Sequence, residues 1–89
     1  MQSIEVTQLP SDPENYLFNV KVGDFKYTVS FSEDYYRRLT DGQVTPAELV
    51  KKSFEFLLSH ESPVSILKQF DLSVISHYFS DYESAIRET

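Results

Sequence analysis

The side chains of this chain that could act as bases or nucleophiles are two histidines, His60 and His77, and twelve serines. His77 and Asp81 stand four residues apart, a spacing that puts both on one face of a helix, and His60 is followed at once by Glu61. Two histidines and a few carboxylates can ligate zinc when a fold gathers them. This spacing matches no close-set ligand motif. The plainer expectation is a surface pair between His77 and Asp81, with His60 placed against the dipole at a helix C-terminus. A serine nucleophile needs a base held beside it and donors for the oxyanion. No Gly-x-Ser-x-Gly elbow is present, and the two glycines, Gly23 and Gly42, suit turns better. The chain has no Cys, which excludes thiolate nucleophiles, thiolate metal sites and disulfides. It has no Gly-rich phosphate loop. Asp12, Glu14, Asp24 and Asp41 lack the spacing of a calcium loop. The expectation is a chain without catalysis, cofactor or metal.

Charge bears on partners. Eight Lys and Arg face 14 Asp and Glu, a net charge of −6. Each half, residues 1–45 and 46–89, carries 4 basic and 7 acidic side chains. Such a field repels nucleic acid and anionic lipid. The stretch from Ser62 to Phe79 has a helix–break–helix rhythm that faintly resembles a helix-turn-helix. It lacks the turn glycine, and its one basic residue is Lys68. Arg37, Arg38, Lys51 and Lys52 are the candidate basic patch, set against the plainer reading of a solvated face. Nucleic-acid binding by this chain alone is not expected. No apolar run approaches the roughly 20 residues of a membrane span, and the first residues lack the basic start and apolar stretch of a signal peptide. The expected location is the cytoplasm.

Aromatic side chains make up 15% of the chain. Tyr16, Phe18, Tyr27 and Phe31 read as core. Tyr35, Tyr36, Tyr78 and Tyr82 are harder to bury together, because adjacent helical residues point about 100° apart. Tyr is enriched at protein interfaces, so these four form the candidate interaction surface.

The elements that would position these groups follow from periodicity. At 89 residues the chain is one domain, able to bury about 60–65% of its unfolded surface. Before residue 32 it reads with period two. Strands are expected at about 3–9, 16–22 and 25–31. Gly23-Asp24 between the last two is a two-residue hairpin signal. That loop pairs Val22 with Phe25, Val20 with Tyr27, Phe18 with Val29 and Tyr16 with Phe31, all on the apolar face. It also sets Lys21 opposite Lys26, a strain that a first strand could relieve by bringing Glu5 to Lys21.

After residue 32 the spacing is helical. Ser32 caps a helix over about 33–40, with Gly42 as its left-handed stop. Thr45-Pro46-Ala47-Glu48 is a capping box opening a helix over about 46–59, with Ala47, Val50, Phe54, Leu57 and Leu58 as its main stripe. Further helices are expected at about 63–69 and 72–79, with a frayed tail after about 83. The fold class is α+β: a three-stranded antiparallel β-meander packed against a central helix, followed by two or more short helices.

The runs Ser53 to Leu58, Glu61 to Leu67 and Phe70 to Glu83 together resemble a family of small bacterial proteins. Their shared pattern ends in a Tyr-Phe-x-x-Tyr-Glu stretch like Tyr78-Phe79-Ser80-Asp81-Tyr82-Glu83. The resemblance covers roughly residues 15–83. It implies bacterial origin and carries no assigned activity. The three strands followed by a helix are also similar, in topology alone, to small antitoxin domains.

Functionally, the expectation is a small non-catalytic protein–protein interaction module. Homodimerisation through an open sheet edge or the helical aromatics is part of it. The alternative is an antitoxin-like or regulatory protein that contacts DNA only with a partner, which requires Arg37, Arg38, Lys51 and Lys52 to share one patch.

Overall fold

Gly23 has φ +59°, whereas Asp24 is not among the residues with positive φ. That pattern matches a type II′ turn, whose twist suits a two-residue hairpin. It joins β2 (Asn15–Val22) to β3 (Phe25–Ser32) in the expected register, with Val22 opposite Phe25 and Tyr16 opposite Phe31. β1 (Ile4–Leu9) pairs antiparallel with β2, and Glu5 lies opposite Lys21. The computed structural model describes residues 3–88 of the chain.

The meander is α+β as expected, and it is larger than expected. A fourth strand, β4 (Gln69–Asp71), adds parallel to β3, giving the order β1-β2-β3-β4. The Thr28 N–H donates to the Lys68 carbonyl at 2.8 Å. This corrects the helix expected over 63–69. Pro63–Ser65 makes only a single 3-10 turn, and Ile66 is extended, with ψ 136°. A strand here satisfies backbone groups on the far side of β3 and buries Phe70. A helix would leave those groups open.

One face of the sheet is the core. Phe18, Val20, Val22, Tyr27, Val29 and Phe31 are buried on it. Tyr16 and Phe18 flank Phe31, with ring centroids 5.1 and 5.8 Å away. α1 (Glu33–Thr40) begins at Ser32, whose side chain accepts from the Tyr35 N–H at 3.1 Å. The helix stops at Asp41, φ 55°, with Gly42 also left-handed at φ 73°. The first left-handed residue is therefore Asp41 rather than the expected glycine.

α2 (Pro46–His60) opens with the expected capping box. The Glu48 N–H donates to Thr45 Oγ1, and the Thr45 N–H donates to Glu48 Oε1, each at 3.1 Å. These bonds favour the carboxylate and hold the Glu48 pKa below its ordinary value. Val50, Phe54 and Leu57 on α2 are buried with the sheet's apolar face. Ala47, expected in the stripe, is exposed, while Ser53, outside it, is buried.

The C-terminal third departs furthest from expectation. In place of one helix over 72–79 there is a 3-10 turn at Leu72–Val74, then the short α3 (Ile75–Tyr78). Phe79 is extended, with φ −131°. The chain then forms α4 (Tyr82–Glu88), where a frayed tail was expected. α4 stays folded because Tyr82 and Ile86 are buried. Thr89 lies outside the described residues. A helix-turn-helix reading of 62–79 fails with its first helix.

Candidate functional site

The bend at Phe79 decides where the tyrosines go. It directs Tyr82 into the core at 0% exposure, against α2. Tyr36 is also buried, and its hydroxyl donates to the Val44 carbonyl. Tyr35 is half-buried and donates to Glu83 Oε2 at 3.0 Å. Three of the four expected surface tyrosines therefore tether one element to another. Tyr35 joins α1 to α4, Tyr36 joins α1 to the following loop, and Tyr82 joins α4 to α2. A phenol combines apolar area with one polar handle, which suits this role. Only Tyr78 remains on the surface, at 70% exposure.

Tyr78 stands beside a groove. The segment after α2 crosses to β4, and α3 returns alongside it. Between them lies a cavity of about 180 Å³. Its floor includes Leu57, Ile66, Phe70 and Ile75, all core residues. Its rim carries Leu67, 51% exposed, together with Tyr78 and Glu61. Val64, in the same crossing segment, is 75% exposed. Scattered exposed apolar residues are ordinary, and two on the rim of one groove are less so. A drug-sized ligand needs a pocket of roughly 300–1,000 Å³. This one holds a side chain or two, the scale of an anchor from a protein partner.

The one charged side chain that lines it is Glu61. Between Glu55 and Glu83 the chain carries Glu55, Glu61, Asp71, Asp81 and Glu83 against Lys68. Asp71 accepts from Ser30 Oγ, the Ser73 N–H and Ser73 Oγ. Glu83 accepts from Tyr35. Glu55 and Asp81 are exposed, and Glu61 is half-buried on the groove itself.

The residues that could do chemistry are not assembled around this groove. His60 packs on Phe56 and Phe79, with ring centroids 4.5 and 5.1 Å away. His77 is exposed at the end of α3, and the break at Phe79 removes the shared helical face expected for His77 and Asp81. Among the described residues, no group of three or more His, Asp or Glu is placed to hold a metal ion. No helix there is long and apolar enough to cross a membrane.

The basic residues are divided between helices. Arg37 and Arg38 lie on α1, and Lys51 and Lys52 on α2. Arg37 pairs with Glu33 at 3.4 Å. Lys52 lies near enough to Glu48 to help hold its carboxyl down.

Sequence reasoning missed Ser53, Phe70 and Leu67 as residues that shape this region. The signal for Ser53 was its spacing of four residues from both Leu49 and Leu57, which are buried on α2. Leu67 had no separate signal, because with Ile66 and Phe70 it fits helical spacing. Comparison with protein-family models, with curated proteins and with solved structures finds no match to this chain.

Proposed function

We propose that this chain is a non-catalytic protein-interaction module, and that its groove takes an apolar anchor from a cationic segment of a partner protein. The observation that carries the reading is the exposure of Leu67 and Tyr78 on the rim of a groove floored by the core. Apolar side chains held this way exclude water around an anchor, the arrangement that concentrates binding energy at interfaces. The partner's charge follows from Glu61, the one charged side chain among the residues that line the groove. Opposite charge there speeds encounter and rejects acidic competitors. The alternative of DNA contact gains nothing from Arg37 and Lys52, since each lies beside a carboxylate.

The test is an NMR titration with two amphipathic peptides, one of Lys and Leu and one of Glu and Leu. The Lys peptide is expected to shift amides between Glu61 and Phe79 and to lose about tenfold in affinity for the Tyr78→Ser variant, the scale of one good interface side chain. The Glu peptide is expected to shift nothing. Shifts spread over the whole acidic surface, unchanged by Tyr78→Ser, would overturn the reading.

A further inference from the structure

The sheet has a second feature, at its opposite edge from β4. Antiparallel ladders alternate, so each residue's backbone groups point either toward one neighbouring strand or toward the other. The type II′ turn makes Val22 and Phe25 a hydrogen-bonded pair. The even-numbered residues of β2 therefore bond to β3. Two contacts agree with this phase. The Thr28 N–H points away from β2, to Lys68, and the Glu33 N–H reaches the Glu14 carbonyl at 2.9 Å. The odd-numbered residues Asn19 and Lys21 must then exchange bonds with Thr7 and Glu5, opposite them on β1. It follows that Ile4, Val6 and Gln8 aim their N–H and C=O groups outward. α2 packs against β1, yet among the described residues no backbone hydrogen bond from another element reaches these groups, and Ile4–Leu9 contains no Lys or Pro. Such devices ordinarily blunt an edge strand.

We infer that β1 is the seam of a symmetric homodimer, with β1 pairing antiparallel to β1 of a second copy about a two-fold axis at Val6. This register is self-complementary. Val6 exchanges both bonds with Val6 of the second copy. Ile4 does the same with Gln8 of the second copy, and Gln8 with Ile4. Every outward backbone group is thereby satisfied. The charges also fit. On the outer face Glu5 meets Thr7 of the second copy, and its other neighbour across the sheet is Lys21. No like charges come into direct opposition at the seam. On the core face the axis sets Val6 against Val6 of the second copy and Ile4 against Gln8 of the second copy, and a single copy leaves Ile4 and Val6 half-buried. The seam shares no residue with the groove, so the two readings stand or fall separately.

The test combines sedimentation equilibrium with amide hydrogen exchange on the full chain. Thr7 is exposed and faces Glu5 of the second copy, so its charge reads the register directly. Thr7→Lys is expected to tighten the dimer and Thr7→Glu to weaken it, each by about 2- to 30-fold for two symmetric cross-strand pairs. The amides of Ile4, Val6 and Gln8 are expected to become protected as concentration rises. Val6→Pro removes one outward donor and no bond to β2, and is expected to abolish association while the far-ultraviolet spectrum persists. Three results would overturn the seam. One is a monomer at millimolar concentration. The second is a dimer whose Ile4, Val6 and Gln8 amides exchange freely. The third is a dimer insensitive to the sign of charge at Thr7 but lost in Tyr78→Ser, which would place the contact in the groove.

Discussion

Ser53 Oγ and the Tyr82 hydroxyl lie 2.6 Å apart, and both residues are 0% exposed. Ser53 Oγ also donates to the Leu49 carbonyl at 2.7 Å. A hydroxyl has one proton, so that donation fixes the order: Tyr82 donates to Ser53, and Ser53 donates to the helix backbone. α4 is thus locked to α2 by a two-step chain that ends on a carbonyl. The two ends of the chain are not equivalent. Ser53→Ala strands a buried Tyr82 hydroxyl and is expected to cost about 1–3 kcal/mol. Tyr82→Phe removes the donor and its desolvation together, leaves Ser53 its bond to Leu49, and is expected to cost about 0.5–1.5 kcal/mol. Urea denaturation of both variants checks the ranking. A Tyr82→Phe loss larger than the Ser53→Ala loss would reverse the assigned proton order.

Tyr35 and Tyr82 also set how the fold responds to alkali. Burial raises the pKa of both above the ordinary phenol value. For Tyr35 the nearby Tyr82 and then the Glu83 carboxylate add to the effect. Unfolded tyrosine releases its proton near about pH 10. Above that pH the unfolded chain binds fewer protons than the folded one, so stability falls as pH rises. The stabilisation is complete below the unfolded value and is lost as pH climbs toward the raised folded values. Urea midpoints measured from about pH 8 to 11 should therefore decline, and Tyr35→Phe should flatten part of the decline. Equal slopes in the two proteins would remove Tyr35 as a source.

The outer face of the hairpin carries an unfavourable pair. Lys21 and Lys26 are directly opposite, both exposed. Glu5 offsets Lys21 from the other side, but no carboxylate lies across from Lys26. Lys26→Glu converts repulsion into attraction and is expected to stabilise the fold by about 0.2–1 kcal/mol. The gain should shrink in high salt, because both side chains are in water. A gain that persists in about 1 M salt would assign the effect to strand propensity instead.

These relationships were unequally legible in the sequence. The hairpin register could be read because two independent signals agreed: Gly23-Asp24 set the turn, and alternation from Tyr16 to Phe31 set the face. The capping box at Thr45 was equally local. β4 was hidden because Ile66, Leu67 and Phe70 fit helical spacing as well as they fit a short strand. What decides in favour of the strand is the row of open backbone groups on β3, a demand made by distant residues. α4 was hidden by the polar average of residues 80–89, although Tyr82 and Ile86 are spaced i, i+4 and are both buried. The tethering of three of the four tyrosines expected at the surface was hidden for the same reason. Three tyrosines that seemed too many to bury found partners in Glu83, the Val44 carbonyl and Ser53, none adjacent to them in sequence.

The groove supplies a last contrast, between rim and floor. Leu67 and Tyr78 stand in water, whereas Phe70 is buried against Phe54 with ring centroids 6.0 Å apart. Leu67→Ser and Tyr78→Ser remove only a part-buried side chain each and are expected to change stability by no more than about 0.5 kcal/mol. Phe70→Ala opens a cavity beneath the groove and removes the side chain that β4 buries, so about 3–5 kcal/mol is expected. The contrast matters because it separates side chains that the fold needs from side chains that it leaves exposed. Urea denaturation of the three variants separates the cases. Should Tyr78→Ser cost as much as about 2 kcal/mol, a value reached only through buried or networked groups, Tyr78 would be a structural residue like Tyr35, Tyr36 and Tyr82. The groove would then have lost its principal anchor. A stable Tyr78→Ser variant that no longer binds the Lys peptide would instead separate binding from folding at a single side chain.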